Sequence, residues 1–166
     1  MEEKYNHINR MNGILLKTIG RRYFLTFCII FSFAFAQWSS DPAIPQLLGS
    51  GVQAQVKATS DGGAYFAWLS NSNYYVYLQR LDSEGFAQFN DGGMLISDNN
   101  NSSWIAVYHL NLAVDSEDNA IITVVDQRTG PWEVYAYKIS PDGTMLWGAD
   151  GLTLSASGVD NISPRL

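Results

Sequence analysis

Cysteine and histidine are scarce: the 166-residue chain holds one Cys and two His. Cys28 sits in an apolar run near the N-terminus, so a chain cleaved after that run keeps no thiol. Such a chain forms no disulfide and offers no thiolate ligand to a metal. Beyond that run only His109 remains, flanked by Tyr108 and Leu110. A lone His among apolar neighbours reads as a structural or surface residue, since zinc needs further His or Cys partners. No G-x-S-x-G elbow, P-loop or H-E-x-x-H is present. No catalytic residue, metal site or cofactor is therefore expected.

Positive charge is equally sparse. Ten basic residues face sixteen acidic ones, for a formal charge of −6. Beyond residue 36 the basic residues are Lys57, Arg80, Arg128, Lys138 and Arg165, five against fourteen acids, or −9. They are scattered singly. Nucleic acid requires a clustered positive surface, and anionic membrane surfaces are disfavoured for the same reason. Helical periodicity is also missing from this part of the chain, which excludes an α-rich fold.

What is present begins with the stretch Tyr23–Ala36, YFLTFCIIFSFAFA, which carries no charge. It is too short to span a bilayer comfortably as a helix. Lys17, Arg21 and Arg22 precede it, and Ala34-Phe35-Ala36 closes it with small residues where a signal peptidase reads. This is the pattern of a helical signal peptide removed before Gln37, leaving no membrane span in the mature chain. Met11 would give a more ordinary n-region than Met1.

The remainder repeats itself. Ser60-Asp61-Gly62-Gly63-Ala64, the apolar run Tyr65–Leu69 and Val76–Leu81 are followed by Gly85, Phe89, Gly93 and Met94–Ser97. The second copy has Ser116-Glu117-Asp118-Asn119-Ala120, Ile121–Val125, Val134–Ile139, Gly143, Trp147, Gly151 and Leu152–Ser155. Ala64 matches Ala120 at an offset of 56, while Gly85 and Gly143, and Phe89 and Trp147, match at 58. The two extra residues fall in the turn at Thr129-Gly130-Pro131, where insertion costs little.

Each copy predicts four short strands joined by Asp/Asn/Gly/Pro turns. In the second copy these are 106–115, 120–126, 133–139 and 152–155. Four strands in about 55–60 residues is the size of a propeller blade. The aromatics at Phe89 and Trp147, at a fixed distance beyond the turn glycines Gly85 and Gly143, are expected to lock one repeat to its neighbour.

At these residues the chain resembles exported bacterial β-propeller-like repeat proteins, whose repeats read DGGA, apolar strand, VY-x-QR-LD-x-G and a later Trp. Many of them end in a type IX secretion sorting tail. The resemblance implies an all-β fold of four-stranded antiparallel, propeller-blade-like repeats at the cell surface or outside it. The organisation expected is a signal peptide over 1–36, a lead-in over 37–52 and one repeat over 53–97. A loop over 98–104, a second repeat over 105–155 and the start of a third over 156–166 follow. Two repeats and a start cannot close a propeller, so the chain reads as an N-terminal fragment without the tail.

For function two readings stand. The first is a non-catalytic extracellular or cell-surface protein with a binding or scaffold role toward a carbohydrate or protein ligand. The second is the leading repeat region of a secreted carbohydrate-active hydrolase whose catalytic part is missing. Asp126 is the one carboxylate that suits a glycosidase acid or base, given a partner about 5–10 Å away; the alternative is a turn residue held by Arg128 or backbone amides. Asp115–Asn119 has oxygens for calcium but not the spacing of a calcium loop, and reads as a turn. Trp132 and Tyr74, at matching turns, are the aromatics expected to be exposed for ligand stacking.

Overall fold

The computed structural model describes residues 43, 45–99, 110–155, 158–161 and 164–165. The segment 1–36 read as a signal peptide lies outside them, as does His109. Eight strands are present among the described residues: β1 (Val52–Ala58), β2 (Ala64–Leu69), β3 (Val76–Leu81), β4 (Met94–Ser97), β5 (Asn111–Val114), β6 (Ala120–Asp126), β7 (Glu133–Ile139) and β8 (Leu152–Thr153). None of the described residues forms an α-helix, and no helix among them is long and apolar enough to cross a membrane.

The strands form two antiparallel sheets, β1-β2-β3-β4 and β5-β6-β7-β8, each an up-and-down meander. The strands follow from alternation and from apolar runs bounded by turn residues. β6 is buried at every position but Ile121, as expected of a strand covered on both faces.

The two sheets reproduce one another in hydrogen bonding. Thr59 N donates to Gly63 O at 3.0 Å, and Asp115 N donates to Asn119 O at 3.1 Å. Gly85 N donates to Asp82 O at 3.0 Å, and Gly143 N donates to Ser140 O at 2.9 Å. Isolated bridges join Leu81 to Ala87 and Ile139 to Met145. An ion pair recurs as well. Arg80 on β3 pairs with Asp61, and Lys138 at the matching place on β7 pairs with Asp115 at 2.8 Å.

Side chains alternate across a strand, so each sheet has two faces. Tyr65, Ala67, Leu69, Val76, Leu78 and Ile96 line one face of the first sheet. Leu110, Leu112, Ala120, Ile122, Val124, Tyr135, Tyr137 and Ile139 line one face of the second, and all fourteen belong to one buried cluster. The counterparts of Ile122, Tyr135 and Ile139 in the first sheet are Phe66, Tyr77 and Leu81, which alternation places on its opposite face. The sheets therefore stack front to back, not like face to like face.

Hydrogen bonds and ring contacts fasten the stack. Asp118, at φ 59, accepts from Ser60 N at 2.7 Å and Ser60 Oγ at 2.6 Å. Its carbonyl accepts from the Tyr65 hydroxyl at 3.0 Å, and burial pushes that hydroxyl's pKa up to about 12. Phe89 of the first sheet packs against the shared core. A Cβ added at Gly143 would come within 3.2 Å of the Phe89 ring, so the aromatic of one repeat sits on the turn glycine of the next. Trp147, its counterpart, is half-buried.

Acid weakens this arrangement in a definite direction. Thr59 and the Gly63 amide hold the Asp61 carboxyl below its ordinary 3.8. Lys138 and Asn119 hold Asp115 well below it, and Ser140 does the same for Asp142. A carboxyl depressed on folding contributes stability that is full above its unfolded value and is lost as pH falls through the folded one. Urea unfolding is thus expected to require less denaturant at each step from about pH 5 downward. Asp115→Asn should flatten that dependence.

Candidate functional site

The richest group of chemical side chains lies at the end of the β6–β7 hairpin. The register sets Asp126 directly opposite Glu133, and the two are only 1% and 2% exposed. Both point to the core face, with Tyr135 and Tyr137 following on β7.

Arg128 ties this group together. Its Nε donates to both Asp126 oxygens at 3.0 and 3.1 Å, and its Nη2 donates to Oδ2 at 2.6 Å. Nη2 also donates to the Tyr137 hydroxyl at 2.6 Å, and Nη1 to the Asp150 carbonyl at 2.8 Å. The guanidinium lies 3.6 Å from the centre of the Tyr135 ring, in cation–π geometry. Burial works against the charge of Arg128, but the bonds to Asp126 and Tyr137 more than offset it, and its pKa is raised.

Glu133 is held differently. Its Oε2 accepts from Thr129 Oγ1 at 2.6 Å and from the Tyr135 hydroxyl at 2.9 Å. Oε1 is buried with no hydrogen-bond partner among the described residues. Burial, then the bond to Glu133, raises the Tyr135 pKa.

Asp126 thus has a second carboxylate beside it, but neither is open to a substrate. A general acid or base must reach the proton it transfers, and Asp126 has both oxygens occupied by Arg128. The arrangement matches a hairpin lock: the Arg128 amide also donates to Asp126 Oδ1 at 3.1 Å, as a turn-starting Asp requires.

Two expectations about exposure are corrected. Trp132 is buried at 8% exposure, packed with Val125 and Val134. Its amide donates to Asp160 at 3.0 Å, and its carbonyl accepts from Asn161 N at 2.7 Å. The Gly-Pro-Trp turn folds its indole back onto the sheet, because the apolar pair Val125–Val134 is there to receive it. Tyr74 is half-buried and packs against the central core. Residues of the turn motif, Gly85, Phe89, Gly143 and Trp147, occupy matching places after β3 and β7.

The loop Asp115–Asn119 is a closed turn. Asp115 Oδ1 accepts from Glu117 N at 2.9 Å and Asn119 N at 3.0 Å, while Lys138 takes Oδ2. Its Asp115 oxygens are thus taken up by the turn and Lys138, and those of Asp118 by Ser60.

Sequence reasoning missed Glu133, whose partnership with Asp126 depends on strand register. It also missed an open groove of about 400 Å³ between the lead-in and the first sheet, lined in part by Gln46, Gln79 and Asp91. An adjoining cavity of about 360 Å³ reaches Trp68 and Tyr77, whose rings stack at 6.0 Å and 12°. Neither a protein-family model, nor a curated protein, nor a solved structure gives a significant match to this chain.

Proposed function

We propose that this is a non-catalytic, exported β-repeat protein, secreted or held at the outer cell surface, with a scaffold or binding role toward an extracellular carbohydrate or protein. The observation that carries the non-catalytic half is the fate of Asp126. The carboxylate best suited to chemistry is buried, bridged by Arg128 and committed to its own hairpin. Export rests on the charge-free run Tyr23–Ala36 and its flanks.

We further read the sheets as blades of a propeller-like array, in line with the resemblance of their repeats to exported propeller-like proteins. The front-to-back stacking and the Phe89–Gly143 contact support that reading, since each sheet presents to its successor what its predecessor presented to it.

The test uses the secreted chain, whose N-terminus is expected at Gln37. It is offered to a panel of surface polysaccharides and surface proteins, and retention and bond cleavage are measured together. Retention without cleavage is expected. Release of reducing sugar that Asp126→Asn abolishes would make the protein a hydrolase and overturn the proposal.

A further inference from the structure

Two adjoining cavities beside the first sheet are built by residues that the second sheet does not repeat. One, of about 400 Å³, is lined in part by Gln46, Gln79 and Asp91. The other, of about 360 Å³, is lined in part by Ser50, Trp68, Ser70, Tyr77 and Asp91. Each lies near the lower end of the roughly 300–1,000 Å³ of small-molecule sites. The architecture common to the sheets recurs: Tyr77 matches Tyr135, and Gly93 matches Gly151. Trp68 and Asp91 do not recur, since Val124 and Ala149 stand in their places.

The walls of this cleft are held by bonds within the chain. Gln46 Nε2 donates to the Gly85 carbonyl at 2.7 Å, and Asn71 Nδ2 donates to Ser50 Oγ at 2.9 Å, which ties the lead-in down at two points. Gln79 fixes the loop that carries Asp91: its Nε2 donates to the Asn90 carbonyl at 3.1 Å, and its Oε1 accepts from the Phe89 amide at 3.0 Å. A side chain at Gly49, Gly51 or Gly93 would run into Trp68, so the indole is wedged between the lead-in and the β3–β4 connection. Trp68 is 6% exposed and braces its cross-strand partner Tyr77, the rings 12° from parallel with centres 6.0 Å apart. Tyr77 is the partly exposed member of the pair.

Three polar groups remain for a ligand. Asp91 is exposed and makes no hydrogen bond or ion pair among the described residues. Ser50 Oγ accepts from Asn71, and Ser70 Oγ accepts from the Tyr75 amide at 3.0 Å, which leaves each O–H to donate outward. A carboxylate only accepts, so a ligand must bring donors to Asp91 and acceptors to the serines. A hydroxyl is both. The parallel rings offer one flat surface, not the several walls that enclose a quaternary ammonium. The flat C–H face of a pyranose, with hydroxyls at its edge, meets all of these demands. A uronate or sulfated sugar does not, because its anion would face Asp91 in a chain of net charge −6.

We infer that this cleft is a binding subsite for a neutral pyranose unit of an extracellular polysaccharide, stacked on Tyr77 with its hydroxyls bonded to Asp91, Ser50 and Ser70. The subsite rests on the binding role proposed above and gives it a ligand class. Affinity electrophoresis of the full secreted chain tests this, in gels containing soluble β-glucan, xylan, dextran or, as the anionic control, alginate. Retardation by at least one of the neutral polymers is expected, and none by alginate. Asp91→Ala and Tyr77→Leu are each expected to weaken that binding at least about tenfold. Asp91 makes no bond within the fold, so Asp91→Ala should unfold in urea at the midpoint of the unaltered protein. It decides the matter alone if Tyr77→Leu fails to fold. Retardation that the variants keep in full places the sugar elsewhere, which overturns this subsite and leaves the binding role standing. Retardation by alginate alone overturns the neutral class. No retardation by any polymer also overturns the subsite, and the binding role falls with it only if surface proteins are not retained either.

Discussion

Replacing Arg128 by methionine is expected to destabilise the protein by about 3–5 kcal/mol, the cost of breaking a buried pair from one side. The Asp126 carboxylate is 1% exposed and would lose its guanidinium bonds while staying out of water. The Tyr137 hydroxyl would lose its donor and the Tyr135 ring its cation. Methionine keeps much of the apolar stem, so the loss reports charge and hydrogen bonding more than volume. Adding Asp126→Val should return most of the stability, since removing both partners leaves no stranded charge. Urea unfolding of both single variants and the double variant measures the coupling. A single Arg128→Met change costing under about 1 kcal/mol, the range of a surface ion pair, would show that the cluster is not the lock described.

Gly151→Ala is expected to cost about 3 kcal/mol or more, against about 1 kcal/mol for Gly148→Ala three residues earlier. Both glycines have positive φ, +66 and +81, so both substitutions carry the left-handed penalty. They differ in surroundings. A Cβ at Gly151 would lie 2.5 Å from the Ala136 carbonyl oxygen and 2.9 Å from the Tyr137 ring, whereas one at Gly148 meets nothing within 4 Å. The first obstacle is backbone and cannot swing aside. Chemical denaturation at one temperature separates the two costs. Equal losses would mean that φ alone requires these glycines, and that β8 does not press on β7 as closely as described.

Much of the fold is legible in the amino-acid sequence, because its strands are short and loudly punctuated. The apolar run from Ala120, ended by Asp126, forms β6 with those bounds, and Val76–Leu81 forms β3. At the sheet edge the residue pattern promises more than the backbone keeps. A strand expected over 152–155 is regular only at Leu152–Thr153, beyond which Leu154 N still donates to Val134 O and Ser155 Oγ takes the Val134 amide. Register and side-chain direction are not legible. Asp126 and Glu133 are seven positions apart, and only the length of the turn between them decides that they face each other. The burial of Trp132 depends on Val125 and Val134 lying where the indole lands, which no local pattern announces. Front-to-back stacking is latent in the two offsets of 56 and 58 but needs the alternation of real strands to become visible.

The bond from Ser60 to Asp118 joins residues 58 apart, and the one from Tyr65 to Asp118 residues 53 apart, while every strand pairing within a sheet links neighbours along the chain. That contrast orders events in time. Local hairpins close at small entropic cost, and contacts between distant residues become favourable only once their ends are held close. Each meander can therefore take shape as soon as its own residues are free to fold, without waiting for chain that has not yet arrived. Asp118 then completes the turn at Ser60 after the second meander is in place. Under the export proposed above, the chain would mature in the direction in which it is threaded, the second sheet settling onto the first.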